Sequence, residues 1–342
     1  MAEARVLVVD DSAAMRALFS DILEQTRDVR VVGTAASAAE ARQLIPEVRP
    51  NVLTLDVEMP GMSGIEFLEE VMTTAPLPVV MLSGLTQAGT ESSLRAYELG
   101  AVECFPKPLR ATPDQFAKTV GKLGKIVLAA ANSNVQTRKP AREKAAAQVA
   151  FSWNGHLVAL SASMGGIDAL TDLLGHWPAN CPPTIVVLQA EPALAATFVA
   201  RLDAALPCTV HAAKDGAALN PGTVHVAFDP AAHAIIEAGR PPKLRLVARD
   251  PVDGARPSAT LLYATIARLA LPAVGAVLTG IGSDGARGLK LMRDAGCDTF
   301  AQERGTATVS EAPAAAIAAD GVQHELPLDA LAAGVLDCCR TA

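Results

Sequence analysis

The first 125 residues alternate short apolar runs with amphipathic stretches, and that alternation allows very few architectures. RVLVVD (5–10) reads as a buried strand, and MRALFSDILEQ (15–25) has helical periodicity. VRVVGTA, NVLTLDV, PVVMLSG and AVECFPKP read as further strands, with SAAEARQLI, SGIEFLEEVMTT and TESSLRAYEL as helices between them. A last helix is expected over DQFAKTVGKLGKIVL. Strands that each hand over to a helix imply a parallel sheet covered by helices on both faces.

Ligands of such sheets sit at the C-terminal ends of the strands, near the point where strand order reverses. Asp10 and Asp11 follow the first strand, Asp56 ends the third, Ser83 ends the fourth and Lys107 follows the fifth. One aspartate alone reads as a cap for the helix after it. Three carboxylates together repel one another, and a hard divalent cation such as Mg²⁺ removes that cost. A lysine and a hydroxyl on the same rim suit phosphate oxygens.

Residues 126–150, IVLAAANSNVQTRKPAREKAAAQVA, lose the strand pattern and are expected to link two domains, 1–125 and 151–342. A second alternation starts at HLVALSAS and continues through PTIVVLQA, CTVHAA, GTVHVAF, HAIIEA, PKLRLVA, AVGAVLTG and CDTFAQE as strands. IDALTDLLGHW, LAATFVARLDAAL, ATLLYATIARLAL and DGARGLKLMRDAG read as helices, and APAAAIAAD as the last one. This is again α/β and doubly wound. Within it, SASMGG places Ser163 between a strand and a helix, close to a nucleophile elbow. The glycines allow a tight turn, and a helix N-terminus favours a developing oxyanion. Ser163 also reads as a hydroxyl that starts a helix. Asp284, in GSDGARGL, likewise reads as a helix cap. Arg256 is placed either to orient an acidic side chain or to pair with a surface carboxylate.

The chain has 342 residues, a net charge of −7 and no basic stripe with interleaved aromatics, which argues against nucleic-acid binding. The opening MAEARVLVVDDS lacks a basic and apolar leader pattern, so no signal peptide is expected, and no apolar run is long enough for membrane insertion. The six cysteines (104, 181, 208, 297, 338 and 339) have no metal-ligand spacing and read as reduced thiols of a cytoplasmic protein.

VVDDSAAMR, LDVEMPGMSG, VVMLSGLT and FPKP resemble the receiver domain of two-component response regulators. The resemblance implies a flavodoxin-like fold and a phosphoryl group taken by Asp56 from a sensor histidine kinase. It also implies Mg²⁺ held by Asp10, Asp11, Asp56 and the carbonyl of Glu58, with phosphate bound by Ser83 and Lys107. The family's aromatic switch position is here Cys104, with Phe105 expected on the opposite face of the strand.

A receiver, a linker, SASMGG, RPSATLLY and LTGIGSDGARG, in that order, resemble the chemotaxis receptor methylesterase (CheB) family over nearly the full length. That family removes methyl groups from receptor glutamates and often deamidates receptor glutamines, so the chemoreceptor cytoplasmic domain is the implied partner. By motif, Ser163 matches the nucleophile, Asp284 the buried carboxylate and the amide of Met164 part of the oxyanion hole. In the family the unphosphorylated receiver covers the catalytic mouth.

The histidine of the triad lies in a Gln-His-Met-Pro stretch in that family, and this chain reads Gln189-Ala190-Glu191-Pro192. Ala190 therefore stands in the base position. Ser161, Met164 and Ala255 depart from the family pattern as well. Serine needs a base to take its proton. The residues at hand for that task are Glu191, His225 and His233; His156, His176, His211 and His324 read as surface or strand-edge residues. The resemblance thus implies a carboxylic ester hydrolase, while position 190 implies a catalytically inactive paralogue that works by binding.

Overall fold

The computed structural model describes residues 2–84, 87–107, 113–135 and 151–341. The chain divides into two units, Met1–Pro140 and Ala141–Ala342.

In the first unit the strands are β1 (Ala4–Val9), β2 (Val29–Ala35), β3 (Val52–Asp56), β4 (Val79–Ser83) and β5 (Glu103–Pro106). They form one parallel sheet in the order β2-β1-β3-β4-β5. Helices α1 (Ala13–Glu24), α2 (Ala38–Val48), α3 (Gly64–Thr74), α4 (Gln87–Glu98) and α5 (Pro113–Ala131) follow the strands in turn. Every residue of β3 and β4 is buried, as expected for strands covered on both faces. Serines start three of the helices: Ser12 caps α1, Ser37 caps α2, and Ser63 forms a reciprocal capping box with Glu66 on α3.

Helix α5 runs to Ala131, past the Leu128 end of the helix expected over DQFAKTVGKLGKIVL and into the first residues of the expected linker. The reason is apolar: Ile126, Val127, Ala129 and Ala130 are buried and extend the packed face of the helix. The rest of the expected linker from residue 136 lies outside the described residues.

The second unit is built on β6 (Leu157–Ala162), β7 (Thr184–Leu188), β8 (Thr209–Ala212), β9 (Thr223–Ala227), β10 (His233–Glu237), β11 (Lys243–Val247), β12 (Ala273–Val277), β13 (Asp298–Gln302) and β14 (His324–Leu326). Seven of them make a parallel sheet in the order β14-β13-β12-β6-β7-β9-β8. Strands β10 and β11 form a separate antiparallel pair. The helices are α6 (Gly166–Leu174), α7 (Pro192–Ala205), α8 (Ala259–Arg268), α9 (Ala286–Asp294), α10 (Glu311–Ala318) and α11 (Leu328–Cys338).

From β6 the chain winds outward through β7 and then returns to β12 on the other side. Strand order therefore reverses between β6 and β12, and the C-terminal ends of those two strands flank the crevice. Helix α8 buries Leu262, Tyr263 and Ile266 in the core below it. Strand β14 and helix α11 were not expected from the sequence. In α11 the buried residues are Leu331, Ala332, Val335 and Leu336, a repeat at helical spacing hidden by the surrounding alanines.

Candidate functional site

In the first unit, the ends of β1 and β3 bring Asp10, Asp11 and Asp56 together, with one carboxylate oxygen from each lying within 4.8 Å of the others. Asp10 and Asp56 are buried and Asp11 is exposed. The ammonium of Lys107 sits between the two buried ones, 2.8 Å from Asp10 Oδ2 and 2.7 Å from Asp56 Oδ1. The β3–α3 connection beside it is tight: a Cβ on Gly64 would lie 1.8 Å from the Asp56 carbonyl oxygen.

Asp10 also accepts from the amide of Ser12 (2.9 Å), and Asp56 from the amide of Glu58 (3.2 Å). Burial raises the pKa of Asp56 despite the Lys107 bond, and nearby Asp10 adds to the rise. Burial works to lower the Lys107 pKa, but its bonds to Asp10 and Asp56 outweigh that and raise it. The oxygen-rich, charge-dense donor set fits a small hard cation such as Mg²⁺.

Ser83 ends β4 beside this cluster and is buried, and its hydroxyl accepts from Ser93 Oγ of α4 at 3.2 Å. Sequence reasoning missed Ser93, whose only signal is a small polar residue on a helix. Cys104 is buried against the same helix: its thiol donates to the Ser93 carbonyl (3.5 Å), and its amide donates to Tyr97 Oη (3.0 Å). The Tyr97 hydroxyl in turn bonds the Glu103 carboxylate. Phe105 is buried in the core.

In the second unit, Ser163 follows β6 on a turn and is partly exposed. It does not cap α6, whose N-terminal residue is Gly165 with a left-handed φ of 75° and no side-chain cap. That removes the reading of Ser163 as a helix-starting hydroxyl. Instead, the amide of Ile281, beyond β12, donates to Ser163 Oγ at 3.0 Å. Room for the hydroxyl depends on Gly280, where a Cβ would come within 2.2 Å of Ser163 Oγ.

The turn is pinned by Thr279. Its carbonyl accepts from the Ser163 amide (3.1 Å), and its hydroxyl donates to the Met164 carbonyl (2.9 Å). Gln302 Oε1 holds the Thr279 amide at 2.9 Å. Among the described residues the Met164 amide has no protein acceptor, which leaves it available to an incoming oxyanion. No sequence signal marks Ile281, because its contribution is a backbone amide.

Asp284 lies at the start of the turn before α9 and is half-buried, less enclosed than the resemblance implies. It does not cap α9, whose first position is Gly285 without a side-chain cap. Its carboxylate reaches the N-terminus of a different helix, α8. There it accepts from Ser258 Oγ (2.6 Å), the Ala259 amide (2.8 Å) and the Thr260 amide (3.1 Å). A fourth donor is Gln189 Nε2 at 2.9 Å. An anion suits this position because unpaired amides and the helix dipole converge there.

Ala190 follows β7 at the strand end next to that of β6, since Leu188 pairs with Ala162 and the Gln189 amide donates to the Ala162 carbonyl. Two of the three groups expected to stand in for a base are hydrogen-bonded elsewhere. Glu191 caps α7, accepting from the Leu194 amide at 2.9 Å. His233 is buried with both ring nitrogens bonded, one to the Ser258 amide (3.2 Å) and one to the Asp250 carbonyl (3.0 Å). His225 sits within β9, paired with Ile185 of β7 and packed edge-on against His211. Among the described residues no histidine hydrogen-bonds the Ser163 hydroxyl.

The six cysteines are free thiols, and no helix among the described residues is long and apolar enough to cross a membrane.

Two family models match the chain. The response regulator receiver domain family model matches residues 6–120, and the CheB methylesterase model matches residues 158–335. A protein-glutamate methylesterase/protein-glutamine glutaminase 1 of Caulobacter vibrioides is 43% identical over 98% of both chains. A protein-glutamate methylesterase/protein-glutamine glutaminase of Agrobacterium fabrum is 41% identical, covering 97% of this chain and 96% of its own. The crystal structure of the Thermotoga maritima CheB methylesterase catalytic domain shares the fold of the second unit. It covers 54% of this chain and 98% of its own at a TM-score of 0.51 and 24% identity. The chain belongs to the CheB methylesterase family of chemotaxis response regulators and joins a receiver domain to a methylesterase domain.

Proposed function

We propose that this chain is a cytoplasmic, phosphorylation-controlled regulator that acts through Ser163 on methylated-glutamate and glutamine side chains of chemoreceptor cytoplasmic domains. The observation that carries the reading is the elbow itself: Ser163 Oγ is fixed by the Ile281 amide at 3.0 Å, with the Met164 amide adjacent. A carbonyl set against Ser163 Oγ would meet a positioned nucleophile and an amide for its developing charge. In the family's chemistry Oγ bonds to the ester carbon, methanol leaves and water then hydrolyses the acyl-serine.

In the receiver, a sensor histidine kinase is the proposed phosphodonor and Asp56 the acceptor, with a P–N bond broken and an acyl phosphate formed. Asp10, Asp11, Asp56 and the Glu58 carbonyl would hold Mg²⁺. Bound there, the cation offsets carboxylate and phosphoryl charge. Lys107 and Ser83 supply an ammonium and a hydroxyl for phosphoryl oxygens from the same rim.

A second reading, capture of the receptor side chain without efficient turnover, is favoured by position 190. Alanine takes no proton from Ser163, Glu191 and His233 are hydrogen-bonded elsewhere, and His225 is buried within β9. Removing the histidine of a serine protease costs about 10⁶ in kcat. By the transition-state relation that is about 8 kcal/mol.

The test is methanol release from methylated receptor cytoplasmic fragments, with and without acetyl phosphate. Turnover that is lost in Ser163→Ala establishes hydrolysis at this serine. Binding of the fragment by wild type without methanol release establishes capture.

A further inference from the structure

Beside the Asp284 cage lies an open cleft of about 690 Å³ whose charged lining is Arg249, Asp250 and Arg256. Two guanidinium groups against one carboxylate give this lining net positive charge. It is shaped by a tight loop after β11: Val252 and Ala255 exchange backbone hydrogen bonds at 3.0 Å around Asp253 and Gly254, both at positive φ. The bond from Arg287 to Asp253 at 2.6 Å ties the loop to α9.

Hydrogen bonds link this cleft to Asp284 and Gln189. His233 bridges the Asp250 carbonyl and the Ser258 amide. Ser258 Oγ donates to Asp284 at 2.6 Å. Gln189, the residue before Ala190, directs Nε2 towards the Pro257 carbonyl at 3.5 Å while bonding Asp284 at 2.9 Å. Arg256 is thus one residue from a group that touches the residue preceding Ala190.

Both arginines are exposed, and among the described residues neither forms an ion pair with a carboxylate. Arg256 is held by neutral carbonyls, through Nε to Pro230 and Nη1 to Arg249 at 3.0 Å. Those bonds use two of the five N–H donors, on Nε and Nη1, and leave Nη2 and one hydrogen of Nη1 for a further acceptor such as a carboxylate. The anchored side chain has also already lost much of its rotamer freedom, which lowers the cost of binding.

We infer that the Arg249–Arg256 cleft is a specificity subsite for a glutamate or aspartate side chain flanking the residue presented to Ser163. The inference rests on the reading that Ser163 receives methylated glutamate or glutamine from a receptor segment. It adds a preference: the favoured segment is acidic next to the ester or amide. Because hydrolysis itself leaves a carboxylate, a segment with one processed glutamate presents the charge that the cleft takes.

The test uses the full-length protein with Mg²⁺ and acetyl phosphate and two fluorescent peptides. Each carries one glutamate methyl ester; one has glutamates on both sides of it, the other glutamines. Anisotropy titration of wild type is expected to give at least tenfold tighter binding of the glutamate-flanked peptide, with the difference shrinking as salt rises. Arg249→Ala with Arg256→Ala should abolish the difference. Because Arg256 also ties the loop, Arg249→Glu alone is the second variant, and it should prefer a lysine-flanked version of the peptide. Equal wild-type affinity for both peptides overturns the subsite while the reading at Ser163 stands. Failure to bind either peptide overturns both.

Discussion

The Ile281 amide donates to Ser163 Oγ at 3.0 Å, in space that exists only because residue 280 has no Cβ. An N–H aimed at the hydroxyl oxygen stabilises negative charge there, yet it cannot receive the serine's proton. The elbow can therefore stabilise an alkoxide, and among the described residues no histidine hydrogen-bonds the hydroxyl to take its proton. Restoring an imidazole at position 190 should supply that step. Ala190→His is expected to raise methanol release from methylated receptor fragments by at least about 100-fold, a small part of the about 10⁶ a histidine base is worth elsewhere. Adding Ser163→Ala should remove the gain. An unchanged rate in folded Ala190→His protein would mean that Ala190 does not face the serine.

The four donors on Asp284 make it an anchor for the first turn of α8, whatever its part in chemistry. Asp284→Ala leaves the amides of Ala259 and Thr260 and the hydroxyl of Ser258 without their acceptor. The expected cost is about 2–4 kcal/mol, from lost charge-assisted bonds and from unsatisfied groups at a buried helix end. Ser258→Ala should cost about 1–2 kcal/mol, because Ser258 also caps α8 through the Leu261 amide. Urea unfolding of each variant checks both values. A change under about 0.5 kcal/mol in Asp284→Ala would remove the anchoring role.

What the sequence reveals and what it hides divide along a physical line. Strand-to-helix alternation and residues at strand ends are local, so Asp10, Asp56, Ser83, Lys107 and Ser163 could be placed on their rims before any coordinates. The partners of those residues are not local. Asp284 caps the helix that begins at Ala259, across the crevice, although the glycines after it suggest a cap for its own helix. Ile281 acts through its backbone, which no side-chain pattern records. Helix α5 overran its expected end because alanine-rich IVLAAA is legible as linker or helix until its buried face is known. His233 illustrates the reverse case: a histidine near the site invites a catalytic role, and the structure shows both its nitrogens already committed.

In the receiver, Lys107 occupies the space between Asp10 and Asp56 at 2.8 and 2.7 Å, so it competes electrostatically with any cation there. Lys107→Ala removes that positive charge and leaves the carboxylates to repel each other. Mg²⁺ should then bind several-fold tighter by isothermal titration calorimetry, whereas Asp56→Asn should bind it more weakly. Acetyl phosphate should label wild type and leave Asp56→Asn unlabelled by mass spectrometry. Label retained in Asp56→Asn would move the acceptor to another carboxylate.

The last prediction concerns acid stability and rests on His225. Burial, helped by the neighbouring His211, pushes its pKa from 6.5 down to about 4. His211 is lowered too, by burial and by Lys214. The native state thus keeps the His225 imidazole neutral where the unfolded chain protonates it. Between pH 6.5 and 4 the unfolded state binds more protons, so stability falls as pH falls through that window. For His225 alone the loss amounts to about 3 kcal/mol by pH 4. His225→Phe keeps a ring in the same slot and has no proton to take up. Its unfolding free energy, measured by urea titration at a series of pH values, should fall less steeply than that of wild type across the window. Parallel profiles would mean that the acid sensitivity of this domain arises from other groups.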